Sequence, residues 1–243
     1  MGALHFLYDD GDIFAVYKPA GVHSVRLANG KGAASIADLL LEHNPSLAQA
    51  GKAPEDGGLV HRLDASTSGV LVGAATRKSW ELLFALVLSG ALKKHYVACL
   101  EGSLSQQQEI EVSSFIGSPY RGAKKMRSYK SDPGAGSRTL FGTTSYKLLS
   151  YDETLAVSLV CADASPARRH QVRIHAAELG HPLLGDALYG SSKLLGDIAL
   201  TPREFFLHSW RVSFKHPITG AEIELESPIT KEIRWHAPLP HAS

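Results

Sequence analysis

The sequence predicts an α+β fold: a mainly antiparallel or mixed β-sheet core with flanking helices and one long catalytic cleft. Three observations predict it. Strand signals come in pairs around turn clusters, at Asp9-Asp10-Gly11-Asp12, Tyr151-Asp152-Glu153 and Pro217-Ile218-Thr219-Gly220. Helical stretches fall between the strands without a βαβ rhythm, which argues against a parallel sheet. No internal repeat, low-complexity block or compositional shift marks a linker, so the 243 residues read as a single domain over 1–243. Hydrophobic residues at 44 % are sufficient for a sizeable core.

The elements follow in order. Residues 4–8 and 13–17 read as two short strands, after which Lys18-Pro19-Ala20-Gly21 breaks the pattern. Residues 35–43 carry Ile36, Leu39 and Leu40 at helical spacing, and Asn44-Pro45 stops that helix. Residues 44–58 are loop-like. A small-residue, β-branched run at 69–75 reads as a buried strand, and a helix follows with Thr76 as N-cap and Gly90 as stop. Residues 95–100 read as another strand. Residues 117–138 lose apolar periodicity and set Arg121, Lys124, Lys125, Arg127, Lys130 and Arg138 against the single acid Asp132, a basic loop. Residues 143–149 and 155–160 form a hairpin, 168–179 a helix ending at Gly180, and 205–214 with 222–225 a last hairpin. The Pro- and His-rich tail from Trp235, 236–243 above all, is expected to fray.

Lys plus Arg number 25 against 24 Asp plus Glu, so any nucleic-acid affinity must come from a local basic surface. Cys99 and Cys161 are far apart in apolar runs and read as buried reduced thiols. With no signal-peptide pattern and no apolar run long enough to span a bilayer, a cytoplasmic protein is expected. No long apolar surface run is evident, so a monomer is expected.

Two clusters carry chemistry. In His61-Arg62-Leu63-Asp64-Ala65-Ser66-Thr67-Ser68-Gly69 a carboxylate, a guanidinium and hydroxyls crowd a loop leading into a buried strand. A loop Asp often only caps a turn, yet charges in a core-bound stretch are costly without partners. In Arg168-Arg169-His170-Gln171-Val172-Arg173, basic residues at an expected helix start, with 169 and 173 on one face, suit an anion. A solvated basic face is the plainer alternative. His170, His175 and His181 lack the ligand spacing of helical zinc sites, so no metal is expected.

His61-Arg62-Leu63-Asp64 followed by Thr67-Ser68-Gly69 closely resembles the catalytic motif of the RluA family of pseudouridine synthases. Lys18-Pro19-Ala20-Gly21, Lys94-His95-Tyr96-Val97-Ala98, His170-Gln171-Val172-Arg173 and Gly185-Asp186 resemble further family motifs, in order, over about residues 6–228. The resemblance implies the pseudouridine synthase fold, without an N-terminal S4-type RNA-binding domain. It implies Asp64 as the catalytic residue, Tyr96 as the active-site tyrosine, and Arg173 as the arginine paired with Asp64. Arg62 resembles the residue that fills the space of a flipped-out base. His61, Arg168, Arg169, His170, Gln171, Lys124, Lys125 and Arg127 are the expected substrate-binding residues. The implied activity is isomerisation of uridine in ribosomal or transfer RNA, with no cofactor, because no atoms enter or leave. One departure stands out: Pro166-Ala167-Arg168-Arg169 replaces the family's usual Thr-Gly-Arg-Thr/Ser. Competing readings are an inactive RNA-binding or chaperone derivative of the same fold, and a glycosidase-like pair of Asp64 with Asp186 or Asp163.

Overall fold

The computed structural model describes residues 4–27, 33–104, 109–120, 122–134, 139–199, 203–229 and 232–234. In chain order the elements are β1 (Phe6–Asp9), β2 (Ile13–Lys18), α1 (Ile36–His43), β3 (Ser68–Ala74), α2 (Arg77–Ser89), β4 (Lys93–Glu101), β5 (Ile110–Gly117), β6 (Arg127–Tyr129), β7 (Thr139–Asp152), β8 (Val157–Ser165), α3 (Gln171–Glu178), β9 (Leu207–Lys215) and β10 (Glu222–Glu226). Two compact units emerge, Met1–Leu92 with Ser209–Pro228, and Lys93–His208 with Ile229–Ser243. Among the described residues no helix is long and apolar enough to cross a membrane.

The first unit carries strands in the order β1-β2-β3-β9-β10. β2 and β3 pair antiparallel from Ile13 opposite Ala74 to Lys18 opposite Gly69. Val70 and Val72 alternate onto one face of β3, where Trp80 and Leu83 of α2 pack against them. The helix boundaries follow from local chemistry. Ser35 and Asp38 form a reciprocal capping box on α1, and Thr76 accepts the Ser79 N–H at 3.1 Å at the start of α2. α2 ends at Gly90, which is left-handed at φ 78°. Gly69 opens β3 at φ 120°, and a Cβ there would lie 2.1 Å from the Ser209 carbonyl oxygen. Only glycine permits the β3 and β9 backbones to approach so closely.

The second unit carries β4-β8-β7-β5-β6, each neighbour antiparallel. Gln171 through Ala176 of α3 are all buried, so most of the helix is enclosed. Hydrogen bonds hold it to the sheet. His175 links Thr144 Oγ1 at 2.8 Å to Ser114 Oγ at 2.9 Å, and the Tyr146 hydroxyl donates to the Val172 carbonyl at 2.6 Å. Burial pushes the His175 imidazole down to about 4.

Four expectations need correction. The helix expected at 168–179 runs only over Gln171–Glu178. His170 is left-handed at φ 57°, and the Gln171 side-chain oxygen accepts the Arg168 N–H at 2.9 Å, so Arg168 and Arg169 belong to a turn. Residues 169 and 173 therefore share no helical face. The basic loop at 117–138 contains β6, paired with β5 from Phe115 opposite Tyr129 to Gly117 opposite Arg127. No element is expected over β5 from its apolar pattern, although Gly117-Ser118-Pro119 marks its end. Two 3-10 turns, Pro45–Gln49 and Pro54–Asp56, occupy the loop expected at 44–58, the first capped by Asn44. Both cysteines are reduced thiols, but only Cys99 is buried; Cys161 is half-buried on β8. Arg121, Arg138 and the tail expected to fray from Trp235 lie outside the described residues.

Candidate functional site

In the first unit, the loop from His61 to Ser68 is bound to residues 18–24 on both sides of Asp64. The Leu63 N–H donates to Ser24 Oγ at 3.0 Å, and the Ser24 hydroxyl donates back to the Leu63 carbonyl at 2.9 Å. On the other side, the Ala65 carbonyl accepts the Gly21 N–H at 2.8 Å and the Lys18 ammonium at 3.0 Å. Lys18 is fully buried, and its other two donors reach the carbonyls of Val22 at 2.6 Å and Pro19 at 2.9 Å. The Thr67 N–H donates to the Asp64 carbonyl at 3.0 Å, closing the turn. Asp64 is left half-buried at the turn's crest, with Arg62 exposed and His61 buried beside it. His61 Nε2 accepts the Val72 N–H at 3.2 Å, which orients the ring. A pocket of about 340 Å³ in this unit is lined in part by His61, Arg62, Trp80 and Phe84; Asp64 is not among its lining residues.

In the second unit, Tyr96 sits on β4 opposite Ala162 of β8, which is itself opposite Tyr146 of β7. Residues opposite one another share a face, so Tyr96 lies on the face that α3 packs against. Tyr96 is 6 % exposed. Lys94, two residues earlier on the same face, is also buried, and burial lowers its ammonium to about 7.

Arg173 comes from α3. Its Nε and Nη2 donate to the two oxygens of buried Asp186 at 2.7 and 2.8 Å, a bidentate pair. Its guanidinium also lies 4.1 Å from the Phe205 ring centroid and 5.0 Å from that of Tyr189. Desolvated charges require such partners; the sequence places Asp186 in a family-like motif and as a rival carboxylate, but gives no sign of its pairing with Arg173. Asp163, the other rival, is about half exposed and meets His95 Nδ1 at 2.6 Å.

The other expected substrate-binding residues of this unit fall into two groups. Lys124, Lys125 and Arg127 are exposed on residues 122–130. Arg168, Arg169, His170 and Gln171 form the turn before α3. Gln171 is buried and its amide nitrogen donates to the Thr143 carbonyl at 2.8 Å. Arg168 Nε donates to the Phe141 carbonyl at 3.2 Å, and burial lowers its guanidinium below the ordinary arginine value. The first unit thus holds Asp64, Arg62 and His61, and the second holds Tyr96, Arg173 and the remaining basic residues. Sequence reasoning missed the roles of Lys18, Ser24, Tyr189 and Phe205. Lys18 falls inside a quoted motif, but contacts so distant in sequence leave no local spacing signal.

Known proteins with similar sequences give these residues a context. A ribosomal large subunit pseudouridine synthase D of Nitrosomonas europaea is 29 % identical over 248 residues, covering 99 % of this chain and 67 % of the relative. The protein of that name from Neisseria meningitidis serogroup A is 33 % identical, over 95 % of this chain and 59 % of the relative. An uncharacterized RNA pseudouridine synthase of Bacillus subtilis is 32 % identical, over 96 % and 71 %. The chain thus spans roughly three fifths to seven tenths of these relatives' lengths. The solved structure of human RNA pseudouridylate synthase domain containing 1 superposes with a TM-score of 0.69 over 98 % of this chain and 91 % of that one. At 23 % identity that likeness speaks for the fold alone. The description of RNA pseudouridylate synthases matches residues 12–178, from the turn before β2 to the end of α3, and the chain therefore belongs to the RNA pseudouridylate synthase family.

Proposed function

We propose that this protein isomerises uridine within RNA to pseudouridine, with Asp64 as the catalytic carboxylate. The observation that carries the reading is the anchoring of Leu63 and Ala65 on either side of Asp64, which fixes a half-buried acid on a rigid loop. The names of the bacterial relatives favour large-subunit ribosomal RNA as the target over transfer RNA, and the cytoplasm as the place.

The reaction breaks the N1–C1′ bond of uridine, turns the uracil, and joins C5 to C1′ while the C5 proton leaves and N1 gains one. Atoms balance without a co-reactant. Asp64 acts on the ribose, as nucleophile at C1′ or base at C2′, and either role requires the ionised carboxylate. Arg173 is the arginine that the family motif assigns to this carboxylate, and its own plane is set by Asp186, Phe205 and Tyr189. Tyr96 offers a ring on which the extruded uracil stacks, a contact typically worth about 1–3 kcal/mol per base. Arg62 fills the place of the flipped base, offsetting a cost of a few kcal/mol. Lys124, Lys125, Arg127 and Arg168 hold phosphates, while His61 orients the catalytic loop and Arg169, His170 and Gln171 shape the approach.

Release of tritium from RNA carrying 5-tritiated uridine tests the reading. The wild type is expected to release it and Asp64→Ala to release none above background. Equal RNA binding by both proteins with no release by either would favour the inactive RNA-binding derivative instead. A glycosidase-like carboxylate pair is disfavoured, because Asp186 is committed to Arg173.

A further inference from the structure

Residues 122–130 look like a solvent-exposed basic loop in the sequence, yet they are anchored at successive points to the turn before α3 and to Tyr189. Arg169 Nη1 donates to the Ala123 carbonyl at 3.2 Å and Nη2 reaches the Lys124 carbonyl at 3.4 Å. The Met126 N–H donates to the Tyr189 hydroxyl at 2.9 Å, and the same hydroxyl meets His170 Nδ1 at 2.9 Å. Ala123 and Met126 are buried, Met126 in a small core with Ile116, Ile174 and Tyr189. Ser128 hydrogen-bonds Glu178 at the far end of α3. The side chains of Lys124, Lys125 and Arg127 remain outside, and Lys125 Nζ stands 5.3 Å from the Tyr189 ring centroid. The Arg173 guanidinium lies 5.0 Å from the same centroid.

We infer that Arg169 and Tyr189 are positioning residues that hold residues 122–130 as a pre-formed row of cations for the RNA backbone; this rests on the RNA-modifying reading above. Arg169 acts through its two-pronged grip on main-chain carbonyls, not as a phosphate ligand. A planar fork can span two carbonyls where a single ammonium cannot. Pre-ordering a segment lowers the entropic cost of binding, so loss of the clamp should appear in KM rather than in kcat. Arg169 stands where the related family usually has Thr or Ser, so the clamp is a property of this chain's own sequence.

Two readouts test it on the full chain. The first is trypsin cleavage after Lys124, Lys125 and Arg127, mapped by mass spectrometry. Tyr189→Phe keeps the ring and removes the hydroxyl; Arg169→Ala removes the grip; Arg169→Lys keeps the charge. All three are expected to speed cleavage at these sites several-fold while cleavage elsewhere is unchanged. The second is kinetics by tritium release. For each variant KM is expected to rise about fivefold, the loss of roughly one hydrogen bond's worth of order, with kcat within about twofold. Unchanged cleavage would overturn the inference. So would recovery of wild-type KM by Arg169→Lys, which would make Arg169 a phosphate contact through charge alone. A wild-type protein that turns over no RNA would defeat the functional reading, while the cleavage pattern would still decide whether the clamp exists.

Discussion

A buried ammonium is tolerated only where its donors are met, and Lys18 meets carbonyls of three residues, one of them Ala65 beside Asp64. Lys18→Met keeps the apolar stem but leaves these acceptors short of a donor. It should cost about 1–3 kcal/mol of stability by denaturant unfolding, and should lower kcat because the loop bearing Asp64 loses one of the bonds that anchor it. Arg173→Lys tests the guanidinium. A lysine cannot meet both Asp186 oxygens in the observed fork, so most activity should be lost although the charge remains; near wild-type tritium release would contradict the assignment. His175 sets a pH dependence of stability. Its folded value is about 4 against the ordinary 6.5 because it is buried neutral between Ser114 and Thr144. Between those values the unfolded chain binds a proton that the folded chain does not. Its contribution is thus fully present above 6.5 and is lost as pH falls toward 4, by about 1.4 kcal/mol per pH unit at most. Urea unfolding from pH 7 to 4 should show a shallower slope for His175→Gln than for the wild type.

At the scale of elements, the helices whose ends are written in local chemistry were readable in advance. Thr76 and Gly90 bound α2 as expected, and Asn44 ends α1. Thr76→Ala should destabilise by about 1 kcal/mol, read from the shift in denaturation midpoint. The start of α3 was not readable, because a left-handed His170 and a side-chain bond from Gln171 decide it, and neither leaves a mark in apolar spacing. β5 and β6 escaped for a related reason: β6 is only three residues long and exists through its partner. Gly69 shows what a motif conceals. Its place after Thr67-Ser68 looks like a strand start, but the need for glycine comes from Ser209, 140 residues away in the chain. Gly69→Ala should be among the most damaging single-methyl additions, lowering both stability and soluble yield, since backbone must shift to admit the Cβ.

At the scale of the whole molecule, the near-neutral net charge of +1 hides a local concentration of cations. Lys124, Lys125 and Arg127 stand exposed within a few residues of one another. RNA affinity should fall linearly with the logarithm of salt concentration, and replacing any one of them with Gln should reduce that slope by about 0.7–0.9. A salt-insensitive affinity would argue against this surface. The identity of the candidate site was legible because its residues lie in ordered motifs; its support was not, because Lys18, Ser24, Asp186 and Tyr189 act through contacts that only folding creates.

The most direct check of the central claim is base-resolved pseudouridine mapping of ribosomal RNA from a strain lacking this protein, complemented with the wild type or with Asp64→Asn. The account predicts that at least one position loses its pseudouridine in the deletion, regains it with the wild type, and stays uridine with Asp64→Asn. Restoration of that position by Asp64→Asn to the wild-type level would show that the carboxylate on this loop is not the group that acts on the ribose.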